Sequence, residues 1–173
     1  YTNGALLTSE YNDLDFHLGY AYFEKATPYT NVKSYNVIKQ KNDLDKSIQY
    51  FRNYIHQSDF SDSSRYHSAL VRIADAYFVL KNDSLAIENY QKSLDIKGFN
   101  HSYALYQLST SQGLIQDYDG KMETLQKLTD EYPKSRYQVL SLLNLAQTYK
   151  DLEKNTEAIN TYLKFIDEYP NNN

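Results

Sequence analysis

The sequence of 173 residues contains no cysteine, five glycines, three prolines and nineteen tyrosines, and carries a formal net charge of −4. Its length allows one compact domain or a short repeat array. The absence of cysteine removes disulfide scaffolds, thiolate zinc sites and cysteine nucleophiles, and it leaves the redox compartment open. The longest apolar run, Ala76 to Leu80, falls far short of the roughly 20 residues of a membrane span. Lysines and arginines are interspersed with acids, so no patch points to nucleic acid as a partner. Leu, Ile, Val and Phe make up about 24% of the chain, above the roughly 20% below which disorder is the default, so the chain folds with tyrosine contributing to its core.

Few glycines and prolines favour helices over a turn-rich β fold. In chain order, apolar residues at helical spacing predict helices over approximately 10–25, 43–57, 64–80, 84–96, 101–115, 118–131, 136–151 and 155–168. Thr27-Pro28 ends the first. In the following stretch, 27–42, Tyr29, Val32, Tyr35, Val37 and Ile38 show no sustained period, which predicts an ordered loop with a helical turn. Ser64-Arg65-Tyr66 opens a stripe of Leu70, Ile73, Ala74 and Tyr77, and Lys81-Asn82-Asp83 is the turn after it. His101 opens a stripe of Leu105, Leu108 and Ser109, followed by the turn Asp117 to Gly120. Ser135-Arg136-Tyr137 opens Leu142, Leu145, Ala146 and Tyr149. Ser64 and Ser135 are the expected N-caps. Asp130-Glu131-Tyr132-Pro133 recurs 37 residues on as Asp167-Glu168-Tyr169-Pro170, each copy closing an amphipathic helix with a proline. Helix pairs this short bury their faces only by stacking on neighbours.

A search for chemistry finds little. Gly113, Gly120 and Lys121 imitate a phosphate loop, but the glycines are seven apart, Met122 replaces the magnesium-holding hydroxyl, and the segment joins two helices. His17, His56, His67 and His101 offer no pair at i, i+3 or i+4 for a metal. Asp13/Asp15, Asp43/Asp45 and Asp59/Asp62 lie near expected helix N-termini, where the dipole favours negative charge. Asn82-Asp83-Ser84 and Asn100-His101-Ser102 fit a glycosylation pattern that is frequent by chance. No catalytic residue, metal or cofactor is assigned, and the chain is not expected to be an enzyme.

The repeat pattern resembles the tetratricopeptide repeat (TPR) family. Ile73-Ala74, Tyr77, Ala86 and Tyr90 fit its signature, as do Leu145-Ala146, Tyr149, Ala158, Tyr162 and Pro170. Leu18-Gly19 and Tyr22 fit a first helix, and Ser47, Phe51 and Tyr54 a second, with about 16 residues too many between them. The repeat of Leu108-Ser109 departs, with Gln112 at the aromatic site and Lys121 at the small one, while Leu125, Leu128 and Pro133 fit. The resemblance implies an all-α, right-handed α-solenoid of about four TPR helix pairs, with an insertion in the first repeat. The pairs would be 10–57 with insertion 27–42, 64–96, 101–131 and 136–168, forming a single array over 1–173. It also implies that Gly19, Ala74, Ser109 and Ala146 are small because the facing helix approaches there.

The family's inner, concave face carries over onto Phe16, Tyr20 and Phe23, onto Arg72, Asp75 and Phe78, onto Tyr103, Tyr106 and Gln107, and onto Asn144, Gln147 and Lys150. A protein or peptide partner is the implied ligand. The chaperone-adaptor clamp for a C-terminal carboxylate is absent, because its sites hold Phe16, Tyr20, Arg72, Tyr103 and Gln107. The spacing of 37 and the phrase Tyr132-Pro133-Lys134-Ser135 resemble bacterial, Bacteroidetes-like cell-envelope TPR proteins of the outer-membrane assembly lipoprotein and Tol-Pal coordinator types. That implies a scaffold in envelope assembly, in the periplasm or at the outer membrane. The alternative is a regulatory or substrate-docking part of a larger enzyme. The start at Tyr1 and the lack of a covering helix after Pro170 lead to the expectation of a piece of a longer array, able to associate end to end through its last pair.

Overall fold

The computed structural model describes residues 3–27, 37–58 and 62–170, with the side chains of 3–12 outside the description. Among the described residues there are eight α-helices and no strand: α1 (Asn3–Ala26), α2 (Val37–Gln57), α3 (Ser63–Val79), α4 (Asp83–Leu94), α5 (Ser102–Leu114), α6 (Tyr118–Glu131), α7 (Gln138–Asp151) and α8 (Asn155–Glu168). They fold as antiparallel pairs in two compact units, α1–α4 and α5–α8. In each unit the second helix of one pair also packs on the first helix of the next, α2 on α3 and α6 on α7.

The small residues of the signature stand at the helix contacts. Ala74, Ala86, Ser109, Ala146 and Ala158 are buried, and so are Tyr77, Tyr90, Leu125, Leu128, Leu142 and Leu145. In the first pair Gly19 meets the ring of Phe51 so closely that a Cβ there would lie 2.7 Å from it, and Ser47 Oγ donates to the Gly19 carbonyl at 2.8 Å. Only a residue without a side chain lets α1 and α2 approach this far. Tyr22 is half-buried, stacked on Tyr50 at 5.6 Å, with the amines of Lys25 and Lys46 at 5.3 and 5.1 Å from its ring. Tyr149 and Tyr162 are half-buried.

The third pair accommodates its departures through two glycines. Lys121, at the small site, lays its stem along Gly113, where a Cβ would be 3.3 Å away. Gln112, at the aromatic site, lies against Gly120, where a Cβ would be 2.6 Å from Nε2 and 2.2 Å from Asp117 Oδ2. The glycines that imitate a phosphate loop are therefore packing residues.

Each turn within the last three pairs has the same form. Lys81, Gln116 and Glu153 adopt φ of 58°, 63° and 59°, and the following N–H reaches back to the carbonyl of Tyr77, Gln112 or Tyr149 at 2.9 Å. This is the left-handed closure of a helix C-terminus. Asn82 and Asp117 then cap the next helices by accepting from the N–H of Leu85 and Gly120.

Several boundaries differ from the sequence-based expectation. α1 begins at Asn3, so Asp13 and Asp15 lie within the helix and not near its start. α2 begins at Val37, six residues earlier than expected, so the last part of 27–42 is helical; residues 28–36 lie outside the description. Asp43 is buried and accepts from Lys25 Nζ at 2.8 Å. Asp62, not Ser64, caps α3 by accepting from Arg65 N–H at 2.9 Å, a carboxylate being the stronger acceptor at a positive dipole end. Ser135 Oγ accepts from Tyr137 N–H at 3.1 Å, and the helix proper starts at Gln138. Asp59 lies outside the described residues.

Candidate partner-binding surface

In the first unit, α1 carries Asp13, Phe16, Tyr20 and Phe23 at helical spacing along one side, and α3 brings two arginines seven residues apart against them. The guanidinium of Arg65 lies 5.5 Å from the Phe16 ring and forms ion pairs with Asp13 and, at 3.2 Å, with Asp62. Arg72 lies 5.8 Å from the Tyr20 ring and 5.4 Å from that of Phe23. Each such contact contributes about 0.5–1 kcal/mol where it is exposed. Tyr20, Phe23 and Arg72 are half-exposed and form one cluster; Phe78 is half-buried further along α3.

Two of the expected surface residues are core residues. Phe16 is buried among Phe51 and Tyr54, at ring distances of 5.9 and 5.1 Å, because the close approach at Gly19 draws the whole side of α1 onto α2. Asp75 is buried with Oδ1 accepting from the Tyr90 hydroxyl at 2.7 Å and Oδ2 from Arg72 at 2.5 Å. It ties α3 to α4, and its burial is compensated by those two donors. Burial also raises the pKa of the Tyr54 phenol, so it stays protonated beside Phe16.

In the second unit, Tyr103, Tyr106 and Gln107 of α5 are half-buried, with Gln107 Nε2 3.4 Å from the Tyr103 hydroxyl. Tyr137, at the N-cap of α7, stacks on Tyr106 at 5.1 Å and meets Tyr103 at 5.9 Å. Arg136 lies over the Tyr137 ring at 4.9 Å and donates to its hydroxyl at 2.5 Å. Further along α7, Asn144 is half-buried, and Gln147 and Lys150 are exposed. Gln147 Nε2 donates to Asp151 at 2.5 Å, and its Oε1 accepts from the Tyr162 hydroxyl at 3.4 Å.

Sequence reasoning missed the most apolar part of this surface. The 37-residue repeat makes Leu140 and Leu143 the counterparts of Tyr103 and Tyr106, and the two leucines are 49% and 36% exposed. Asn144, Gln147 and Lys150 stand to Leu145-Ala146 as Arg72, Asp75 and Phe78 stand to Ile73-Ala74, whereas Tyr103 and Tyr106 lie about one helical turn earlier in their helix, where α7 has Leu140 and Leu143. The recurring Asp-Glu-Tyr-Pro phrase held the register that would have found them. Arg65 and Arg136 were also missed, although the phrase Ser-Arg-Tyr occurs at both.

A cleft of about 530 Å³ between the start of α2 and the α3–α4 turn, lined by Val37, Leu44, Tyr77 and Val79 among others, contains none of these residues. Among the described residues no cluster of His, Cys, Asp and Glu could hold a metal, and no helix is long and apolar enough to cross a membrane.

Comparison with known proteins agrees with this architecture. Two profiles described as tetratricopeptide repeat match residues 67–100 and residues 103–135 and 140–172, together more than half of the chain. No curated protein sequence matches. Among solved structures, a crystal structure of MamA protein is 16% identical, with 94% of this chain and 75% of that one covered at a TM-score of 0.68. A second MamA structure, from AMB-1, is 10% identical, covering 98% and 95% at 0.60. A putative kinesin light chain of Podospora anserina with nearly identical TPR-like repeats is 12% identical, covering 94% and 91% at 0.55. At these identities the likeness is one of fold. From the repeats matched and the helix pairs they form, the chain belongs to the tetratricopeptide repeat family.

Proposed function

We propose that this protein is a scaffold that binds a protein or peptide partner along the first helices of its pairs. Tetratricopeptide repeats serve as protein–protein interaction scaffolds, and the observation that carries the more specific reading is the strip of Tyr103, Tyr106, Tyr137, Leu140 and Leu143 in the second unit. Rigid aromatics beside exposed leucines, with the Arg136 guanidinium at the edge, suit a segment that presents apolar side chains and an acid. Tyr20, Phe23 and Arg72 offer a second, more polar patch in the first unit. The concave-face assignment, a place in envelope assembly and a periplasmic or outer-membrane location belong to the same proposal. Support for the envelope reading comes from the 37-residue spacing and the phrase Tyr132-Pro133-Lys134-Ser135, and for the concave face from the family's first-helix positions carried onto this sequence. Association of copies through the last pair is proposed with them.

The test is affinity capture from the source cells with wild-type protein and a Tyr106→Ala/Leu140→Ala variant, followed by titration of the captured partner. The proposal expects affinity to fall by at least about tenfold with the fold intact. A partner that binds the variant as tightly would overturn the assigned surface.

A further inference from the structure

Three of the second helices begin at the same place in their repeat, and one does not. α4, α6 and α8 each begin three residues before their small sites, Ala86, Lys121 and Ala158, whereas α2 begins ten residues before Ser47. The additional residues are about two helical turns, and they wall a cleft of about 530 Å³ against Val79, Leu80, Lys81 and Asn82 of the α3–α4 turn. Val37 at one side of it is 77% exposed and Val79 at the other 38%, while Leu44 is its buried floor. A second cleft, of about 310 Å³, continues along the same face of α2 past Ile48, Gln49, Arg52 and Asn53, and shares Asp45 and Tyr77 with the first. The two follow α2 from Val37 to Asn53, about 24 Å at the helical rise.

The second unit has the same place in its repeat with a different lining. There Tyr118, Lys121, Thr148, Asp151 and Leu152 leave only about 130 Å³ between α6 and α7. Tyr118 takes the position of Leu44, and Glu123, Gln126, Asp151 and Glu153 take those of Gln49, Arg52, Val79 and Lys81. Lys127 and Lys154 in turn replace Asn53 and Asn82, and the six charge-bearing positions are net negative in the second unit and net positive in the first. The first unit thus has an open groove, apolar at one end and basic at the other, where the second has a filled and acidic notch. Arg52 is held ready for an anion. Its Nη2 donates to the Tyr77 hydroxyl at 2.7 Å, with the guanidinium carbon 5.7 Å from the Tyr77 ring. Lys41 and Asp45 pair with each other at 2.6 Å, and Glu88 of α4, the acid that senses Arg52, is bonded to Lys92 at 2.6 Å. No carboxylate among the described residues closes on the rest of the Arg52 fork, whose planar geometry matches one.

We propose that this groove is a second docking site, which takes an extended segment of a protein partner with an apolar side chain between Val37, Leu44 and Val79 and a carboxylate on Arg52. Leu44 and Arg52 are about 12 Å apart along α2, which is the reach of about four residues of extended chain. Residues four apart in such a chain point to the same side, so the occupant carries an acid four residues from an apolar anchor. The groove shares no residue with the first-helix surface and does not depend on it.

Selection of random peptides displayed on phage, against the full chain carrying Tyr106→Ala/Leu140→Ala, tests it with the other surface removed. The expected result is a family of peptides with an acid four residues from an apolar one. In fluorescence anisotropy their affinity falls at least about tenfold with Arg52→Gln and with Val79→Asp, which installs the second unit's residue, while Arg52→Lys keeps part of it and added salt weakens it. Circular dichroism and melting stay unchanged, because Arg52 and Val79 reach the surface. A selection that returns no peptide, peptides without the acid, or affinities indifferent to Arg52→Gln and Val79→Asp overturn the site. A marked fall in melting temperature with Val79→Asp would mean that the chain fills the groove itself, and an Arg52-dependent dimer in sedimentation that a second copy does; either overturns the partner as its occupant. Because the peptides are selected without the first-helix surface, this result and the partner capture fail independently.

Discussion

The first and last helix pairs use the same packing code with different amounts of cover. In α1–α2 the contact is Gly19 against Phe51, and α2 is clamped on its other side by α3, so Leu44, Ile48, Phe51 and Tyr54 are all buried. In α7–α8 the small sites are Ala146 and Ala158, both buried; α8 packs mainly on α7, with Lys164 reaching Asp130 of α6 at 3.6 Å, and Ala158 is its one buried residue. A second helix therefore packs its small residue within its own pair and gains further burial where the next helix covers its other side.

Truncating the equivalent aromatics measures that difference. Phe51→Ala is expected to destabilise the protein by about 3–5 kcal/mol, and Tyr162→Ala, half-buried at the equivalent position, by less than about half as much, in chemical denaturation. Equal losses would erase the distinction between the pairs. Gly19→Ala comes next. A methyl at 2.7 Å from the body of a buried ring forces α1 and α2 apart, and a net loss of about 1–3 kcal/mol is expected despite the better helix propensity of alanine. A stabilised variant would show that the close approach is not what fixes this pair.

The turns offer a smaller change of opposite sign. Glu153 holds φ of 59° without being glycine, so Glu153→Gly in the last pair should raise stability by a few tenths to about 1 kcal/mol. Lys81→Gly should do the same in the first unit, and a gain in only one unit would show that the two turns differ in strain. The smallest effect concerns Asp15. Burial raises its pKa more than the side chains of Asn53 and Gln57 lower it. A carboxyl raised in the folded state favours folding below its unfolded pKa and loses that contribution as pH rises through the folded one. Asp15→Asn is therefore expected to melt slightly higher than wild type at neutral pH, with the difference vanishing below the carboxylate range.

The packing code was legible in the sequence because it depends on side-chain size at fixed spacing, and Ala74, Ala86, Tyr90, Ala146 and Ala158 take the buried positions their pattern implies. What could not be read is anything decided across the pair. Asp75 has the position of a surface residue in its own helix, and it is a core one in contact with the Tyr90 hydroxyl on α4. Phe16 likewise faces inward because Gly19 lets α2 come close, a depth that linear spacing does not encode. The early starts of α1 and α2 escaped because their first turns carry little apolar period, although Thr2 and Asn36, which directly precede them, are residue types that favour an N-cap. Leu140 and Leu143 were readable, but only with the 37-residue register applied to the first helices as strictly as to the second.

Photo-crosslinking tests the account's central claim most directly. With p-benzoylphenylalanine replacing Leu140 or Leu143, irradiation in cells should give a discrete partner adduct that the same substitution at Lys127, exposed on α6, does not give. Adducts at Lys127 with none at Leu140 or Leu143 would contradict the claim that the first-helix surface is where this protein binds.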